Sequence, residues 1–218
     1  MAKRRRELHI KAPDLWYIVG VITTDGCLSS DNRHIDITSK DKQLLVDIRK
    51  ALGVSNKIGK KYGIHGHSAF RIQVGNRHLY EFLLSIGLKQ KKSLVLDKLA
   101  VPCQYAREFV RGIIDGDGCI RRWVHPSNHK EQWSIRIYSG SPKFLLWLQS
   151  FIEDELEVCG RIHCETKTKR ILKYRKMPAR AISRQCYYKG CLCLGRKSRL
   201  AKACSTSYQG WNRSATVN

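Results

Sequence analysis

Residues 17–28 read YIVGVITTDGCL and residues 109–120 read FVRGIIDGDGCI, and the two stretches align without a gap. Glycine recurs at Gly20 and Gly112, aspartate at Asp25 and Asp117, and Gly-Cys succeeds each aspartate. The aspartates stand 92 positions apart in a chain of 218 residues. The match continues downstream of both: HIDITSKDKQLLVDIRKALG parallels SIRIYSGSPKFLLWLQSFIEDEL, then FRIQVGN parallels RILKYRKM. RHLYEFLLSIG parallels ARAISRQCYYKG, and KKSLVL parallels RKSRLA. A duplication of this size restricts the chain to two copies of one supersecondary unit, so it governs every later assignment.

Each copy reads as helix, two strands, helix, two strands, helix. Period-two alternation marks the strands: Ile35 and Ile37 against His34, Asp36 and Thr38, and Phe70, Ile72 and Val74 against Arg71, Gln73 and Gly75. In the second half Ile135 and Ile137 alternate with Ser134, Arg136 and Tyr138, and Leu172 and Tyr174 with Lys173 and Arg175. The expected class is α+β, with two pseudo-symmetric αββαββα units, residues 1–100 and 101–218. One face of each antiparallel sheet is apolar and must be covered by helices. The other is polar and poor in acids, and Lys57, Lys61, Arg121, Arg122, Arg161 and His163 are expected to join it. A twisted sheet with such a face fits a DNA major groove, where Arg, Lys, Gln and Ser read base edges. An ordinary solvated face accounts for the polarity but not for the scarcity of acids.

Pro13 and Pro102 lie upstream of the motifs, where proline suits a helix start. The helices are expected to run through DLWYIVGVITT and QYAREFVRGIID to glycines that stop them. A glycine inside a helix costs about 1 kcal/mol relative to alanine. Gly20 and Gly112 make sense if they let the two motif helices pack against each other on a pseudo-twofold axis. Asp25 and Asp117 would then converge at one end. Paired carboxylates repel, a divalent cation relieves them, and hard oxygen ligands beside a phosphate suit Mg²⁺.

The charge balance points the same way. Forty-one Lys and Arg against 18 Asp and Glu give a net charge of +23, a self-repelling excess suited to a polyanion. Nucleic acid fits best, because neutralising phosphates releases condensed counterions. A membrane surface fits less well without a long basic amphipathic helix, and a solubility role is the bland alternative. With 42% hydrophobic residues, a core can form. No apolar run approaches the roughly 18 residues of a membrane span, and MAKRRRELHIK lacks the apolar stretch of a signal peptide. The chain is therefore expected inside the cell, in a bacterial or archaeal cytoplasm or an organelle, and not secreted. KRRR reads as a nuclear signal or a DNA-contacting arm. The nine cysteines then read as reduced thiols. Cys159 and Cys164 around His163, and Cys186, Cys191 and Cys193, lack the C-x2-C pairing of a zinc site, so no zinc is expected.

The two stretches resemble the LAGLIDADG motif of homing endonucleases, whose nine positions fall on Ile18–Gly26 and Val110–Gly118. The resemblance extends over roughly residues 8 to 205 in element order. Two motifs in one chain look like the family's single-chain, pseudo-symmetric form, with the motif helices at the centre and the sheets forming a DNA-binding saddle. The resemblance implies metal-dependent, staggered cleavage of both strands of a long asymmetric DNA target by a monomer, with no protein partner. By position, Asp25 and Asp117 are the metal acids, and the Thr24 and Gly116 carbonyls can face the metal. Mg²⁺ is the expected cofactor, with Mn²⁺ able to substitute. The family's late basic residue in each half, which contacts the scissile phosphate or its water, matches Lys92 and Lys197 through KKS and RKS, with Lys89 or Lys91 as first-half alternatives. Ser39 and Ser139 match the polar residue that orders water. Thr23 replaces the acid usual at the sixth position, where Asp115 keeps it, a change expected to affect how the first helix ends rather than activity.

Relatives that fold intron RNA as maturases, or that bind DNA without cutting, offer the rival readings. Neither role needs two intact metal acids, and both acids are present. The chain begins at Met1 and carries no splicing blocks, so a free-standing protein is expected rather than an intein insert.

Overall fold

Alternating strands and amphipathic helices assemble into two copies of one layout. A computed structural model describes residues 10–62, 68–127, 129–166 and 170–207. The KRRR run of the N-terminal arm lies outside them. The first copy comprises α1 (Ala12–Asp25), β1 (Gly26–Leu28), β2 (His34–Ser39), α2 (Lys42–Ala51), β3 (Ile58–Tyr62), β4 (Ser68–Gly75) and α3 (Arg77–Ser85). After a 3-10 turn at Cys103–Tyr105, the second comprises α4 (Ala106–Asp117), β5 (Gly118–Val124), β6 (Glu131–Ser139), α5 (Pro142–Leu156), β7 (Arg161–Cys164), β8 (Arg170–Arg175) and α6 (Met177–Cys186). A further helix, α7 (Gly195–Thr206), closes it. Here the copies part: RKS opens α7, whereas KKS of the first half lies in a turn.

Both sheets are antiparallel with equivalent strand orders, β1-β2-β4-β3 and β5-β6-β8-β7. The alternation sets the faces. Ile35, Ile37, Ile72 and Val74 of the first sheet, and Ile135, Ile137, Leu172 and Tyr174 of the second, are buried beneath the helices. Each such aliphatic side chain contributes about 1.5–3 kcal/mol on burial. Side-chain caps fix where the covering helices begin. Asp41 accepts from the Gln43 N–H at 3.0 Å for α2, Asn76 from Leu79 at 2.9 Å for α3, and Ser141 from Phe144 at 3.4 Å for α5.

α1 and α4 lie along each other at the centre. A Cβ added at Gly20 would sit 2.3 Å from the Phe109 carbonyl oxygen, and one at Gly112 would sit 2.2 Å from that of Tyr17. In each case the clash is with backbone, so only glycine permits this approach. The glycines that end the helices do so without a left-handed cap. Gly26 and Gly118 are extended, at φ −97° and −85°, and start the next strand. Their missing side chains leave room for the carbonyls of Ile22 and Ile114. Thr23 does not change where α1 ends: both helices finish on the eighth motif residue.

Candidate functional site

Because α1 and α4 pack through their glycines, their last residues, Asp25 and Asp117, meet at one end of the pair. Asp25 is half-buried and Asp117 exposed. Loss of surrounding water, and after it the charge of Asp117, pushes the Asp25 carboxyl up to about 6. Asp117 is raised for the first of these reasons, and Lys197 and Lys92 pull both carboxyls down. Among the described residues no donor forms a hydrogen bond or ion pair with either carboxylate. Two crowded oxygen acids without a protein donor match a small hard cation that keeps several waters and takes only one or two carboxylates. Among the described residues no cluster of three or more His, Cys, Asp or Glu is placed to hold a metal. Gly116 stacks on Thr24 so closely that a Cβ there would fall 1.8 Å from the Thr24 hydroxyl, which itself donates to the Val21 carbonyl at 3.0 Å.

Beneath the acids lie the two late lysines. Lys197 is 3% exposed, and its amine donates to the carbonyls of Ile114, Asp115, Gly116 and Gly118 at 2.6, 2.8, 3.2 and 2.7 Å. It caps the end of α4, a favourable place for a cation. Burial nevertheless pushes it down to about 8, against the pull of Asp115. Lys92 is 8% exposed and donates to the Gly26 carbonyl, the position equivalent to Gly118. Lys89 and Lys91 are exposed, so of the three candidates Lys92 is the counterpart of Lys197. Both amines are engaged by helix-end backbone. Ser39 and Ser139 also have local partners. Each accepts a backbone N–H two residues on, from Asp41 and Ser141, at 3.1 Å, shaping the turn into the next helix. Each hydroxyl keeps a proton to donate.

Asp115, the sixth residue of the second motif, is a fixing point that the sequence did not mark as such. It is buried and accepts from Tyr17 at 2.9 Å, Tyr187 at 2.7 Å and the Leu194 N–H at 2.6 Å. These bonds join α1 to α4 and anchor the entry to α7, and therefore Lys197. Its counterpart Thr23 donates to the Val19 carbonyl at 2.7 Å. The acid thus stands in the half where a helix must be held. Arg111, also unmarked, is fully buried between the rings of Tyr17 and Tyr188, each 5.1 Å from its guanidinium, and donates to the carbonyls of Cys186 and Leu192. An arginine inside an apolar motif was the available signal.

Strand register sorts the expected DNA contacts. Asp36, Thr38, Arg71, Gln73 and Lys61 share the open face of the first sheet, and Lys57 precedes β3. Arg121, Arg136, Tyr138, Arg161, His163, Lys173 and Arg175 share that of the second. Arg122 is a correction. It pairs with Trp133 on the helix-covered face, lies 2.6 Å from Glu131 and stacks over the Trp133 ring at 5.9 Å. The same register brings Cys27 and Cys119, just after the motifs, onto the open faces beside Asp36 and Arg136. No helix among the described residues is long and apolar enough to cross a membrane.

The profile of the LAGLIDADG-like domain matches residues 12–87. A comparison with curated proteins finds no match. Solved structures share the fold across both halves. The homing endonuclease I-WcaI bound to its DNA recognition sequence aligns at a TM-score of 0.60 with 10% identity, over 81% of each chain. The LAGLIDADG homing endonuclease I-GzeII in complex with its DNA target aligns at 0.60 with 15% identity, over 90% of this chain and 89% of that one. Full-length DUF199/WhiA from Thermatoga maritima aligns at 0.58 with 14% identity, over 95% of this chain and 66% of that one, so this chain spans just under two thirds of its length. At these identities the likeness shows a common fold.

Proposed function

We propose that the chain is a single-chain LAGLIDADG homing endonuclease that binds a long asymmetric duplex and cuts both strands by metal-dependent phosphodiester hydrolysis. The observation that carries this reading is the convergence of Asp25 and Asp117, without a donor among the described residues, at one end of the helix pair that joins the two sheets. Asp25 and Asp117 hold Mg²⁺ or Mn²⁺, which when bound supplies Lewis-acid polarisation of a phosphate and an activated water. The Thr24 and Gly116 carbonyls supplement them. Lys197 lies 3.2 Å from the Gly116 oxygen, the longest of its four bonds, which leaves that oxygen a lone pair. Lys92 and Lys197 are positioning residues: they fix the helix ends that carry the acids and offset the repulsion between them. The Ser39 and Ser139 hydroxyl protons are available to orient water.

Asp36 and Arg136 occupy equivalent places opposite Cys27 and Cys119, so the two faces present different groups. One chain therefore recognises a non-palindromic site as a monomer. Incubating the protein with randomised duplexes and Mg²⁺, then sequencing cut ends, tests the reading; a single asymmetric site with staggered ends is expected. The second reading is binding of DNA or intron RNA without cleavage. The engagement of both lysine amines by backbone favours it. Retention of duplex with no cut ends, in Mg²⁺ and in Mn²⁺, would select it.

A further inference from the structure

The open faces of the two sheets match in register and differ in charge. On the first, Arg71 is tied to the acid beside it, with Nε and Nη2 at 2.8 and 2.6 Å from Asp36. On the second, arginine stands in the place of that acid: Asp36 lies across from Cys27, and Arg136 across from Cys119. Lys173 pairs with Arg136 and Arg161 pairs with Lys173, while Arg121 and Arg175 flank Ser134 in the adjacent row. Directly paired side chains lie about 5 Å apart at Cβ and diagonal neighbours about 7–8 Å. Five cations thus crowd two rows, and no acid falls on this face of the four strands. Lys173 is pushed below the usual lysine range by burial, then by Arg136, Arg175 and Arg121.

The same patch holds two buried polar atoms without a partner, Oγ of Ser134 and Nε of Arg136. Buried donors left unsatisfied are costly, and clustered cations repel. A row of phosphate oxygens answers the repulsion with negative charge and offers acceptors to the guanidinium N–H groups at the surface of the patch. Arg71 is the opposite case. Its charge is largely cancelled by Asp36, so it adds little to phosphate attraction. Its remaining N–H groups are held in a fixed direction, as a bidentate contact with the O6 and N7 atoms of guanine requires.

We propose that the two faces divide the work of holding DNA. The second sheet is an electrostatic grip in which Arg121, Arg136, Arg161, Lys173 and Arg175 bind backbone phosphates. The first sheet discriminates, with Asp36 orienting Arg71 towards a guanine. This rests on the reading that the open faces receive duplex DNA, and adds that they contribute unequally and by different physics.

The test needs no knowledge of the target. Binding of a duplex of about 30 base pairs and arbitrary sequence is monitored by fluorescence anisotropy between about 50 and 300 mM KCl. Lys173→Gln/Arg175→Gln is expected to reduce the slope of log K against log salt by about 2, and Lys61→Gln/Arg71→Gln by less than 1. Asp36→Asn, which releases the Arg71 charge, is expected to strengthen this non-specific binding. In selection from randomised duplexes it is expected to lose preference for guanine at one position. Near-UV circular dichroism checks each fold, and Arg121→Gln/Arg161→Gln, both exposed, replaces the first pair if that pair misfolds. Equal slope losses from the two sheets, or an Asp36→Asn protein with unchanged binding and unchanged base preference, overturns the division while leaving DNA binding intact. A wild-type protein that binds no duplex overturns the underlying reading as well.

Discussion

The Lys197 amine donates to the Gly118 carbonyl at 2.7 Å, and Lys92 makes the equivalent bond to Gly26 in the other half. Each lysine comes from late in its own half and closes the end of a helix that carries a metal-type acid. Its charge pulls both carboxyls down against the effect of burial.

Lys197→Met removes the cation and, with it, the side-chain donor to four carbonyls, of which that of Ile114 keeps the Gly118 N–H. Stability is expected to fall by about 1–3 kcal/mol in urea denaturation. Single-turnover cleavage by the saturated complex is expected to slow by about 10²-fold, the scale at which a displacement of about 1 Å in a catalytic group is felt. Affinity should change little, because the buried amine is not on the sheet face. An unchanged rate at saturation would leave Lys197 as a helix cap alone.

Gly112→Ala drives a methyl group onto the Tyr17 carbonyl. The helices must separate, and the expected loss is about 1–3 kcal/mol, or more if backbone has to move. A Cβ at Gly195, in the first turn of α7, meets nothing within 4 Å, so Gly195→Ala serves as the permissive control. Equal denaturation midpoints for the two variants would show that α1 and α4 do not need the close approach.

Asp115→Asn places an amide where three donors converge. The oxygen of the amide can serve Tyr17 and Leu194, but the Tyr187 hydroxyl must turn to accept from the NH2, and the bonds to a charged group are lost, at a cost of about 1.5–3 kcal/mol. Hydrogen exchange should quicken at the start of α7 before the sheets are affected. Uniform loosening of both halves would contradict a local anchoring role.

Neighbours on one strand test the sheet faces. Arg121→Ala is expected to weaken duplex binding and lower the salt slope by about 1. Arg122→Ala is expected to leave both unchanged and to cost at most about 1 kcal/mol of stability through the exposed Glu131 pair. Anisotropy titrations of the two variants give the comparison, and equal effects would contradict the register-based assignment.

The duplicated motif, the strand alternation and the glycine packing were legible in the sequence because each is a short-range pattern. Period-two hydrophobicity at Ile35 and Ile37 needs no tertiary information. Gly20 and Gly112 stand out because helices avoid glycine without a reason. What was not legible depends on distant partners. Arg121 and Arg122 look alike until β5 pairs with β6 and turns them to opposite faces. Asp115 and Asp117 look like one acidic turn until Tyr17, Tyr187 and Leu194 close on the first and leave the second facing out. Choosing among Lys89, Lys91 and Lys92 required the bond to Gly26, 66 residues away. KKS and RKS are locally alike, but one lies in a turn and the other begins a helix.

Cleavage by Asp25→Asn and Asp117→Asn tests the central claim most directly. Each substitution keeps the shape of the side chain and removes the charge that holds a cation. Once a target has been selected from randomised duplexes, wild type and both variants are compared on it in Mg²⁺, with affinity measured in parallel. Wild type should cut both strands. Each variant should bind with near-wild-type affinity, since the sheets supply it, and should make no double-strand break. Full cleavage by either variant, or wild-type protein that binds its selected site tightly and leaves it intact in both Mg²⁺ and Mn²⁺, would contradict the account.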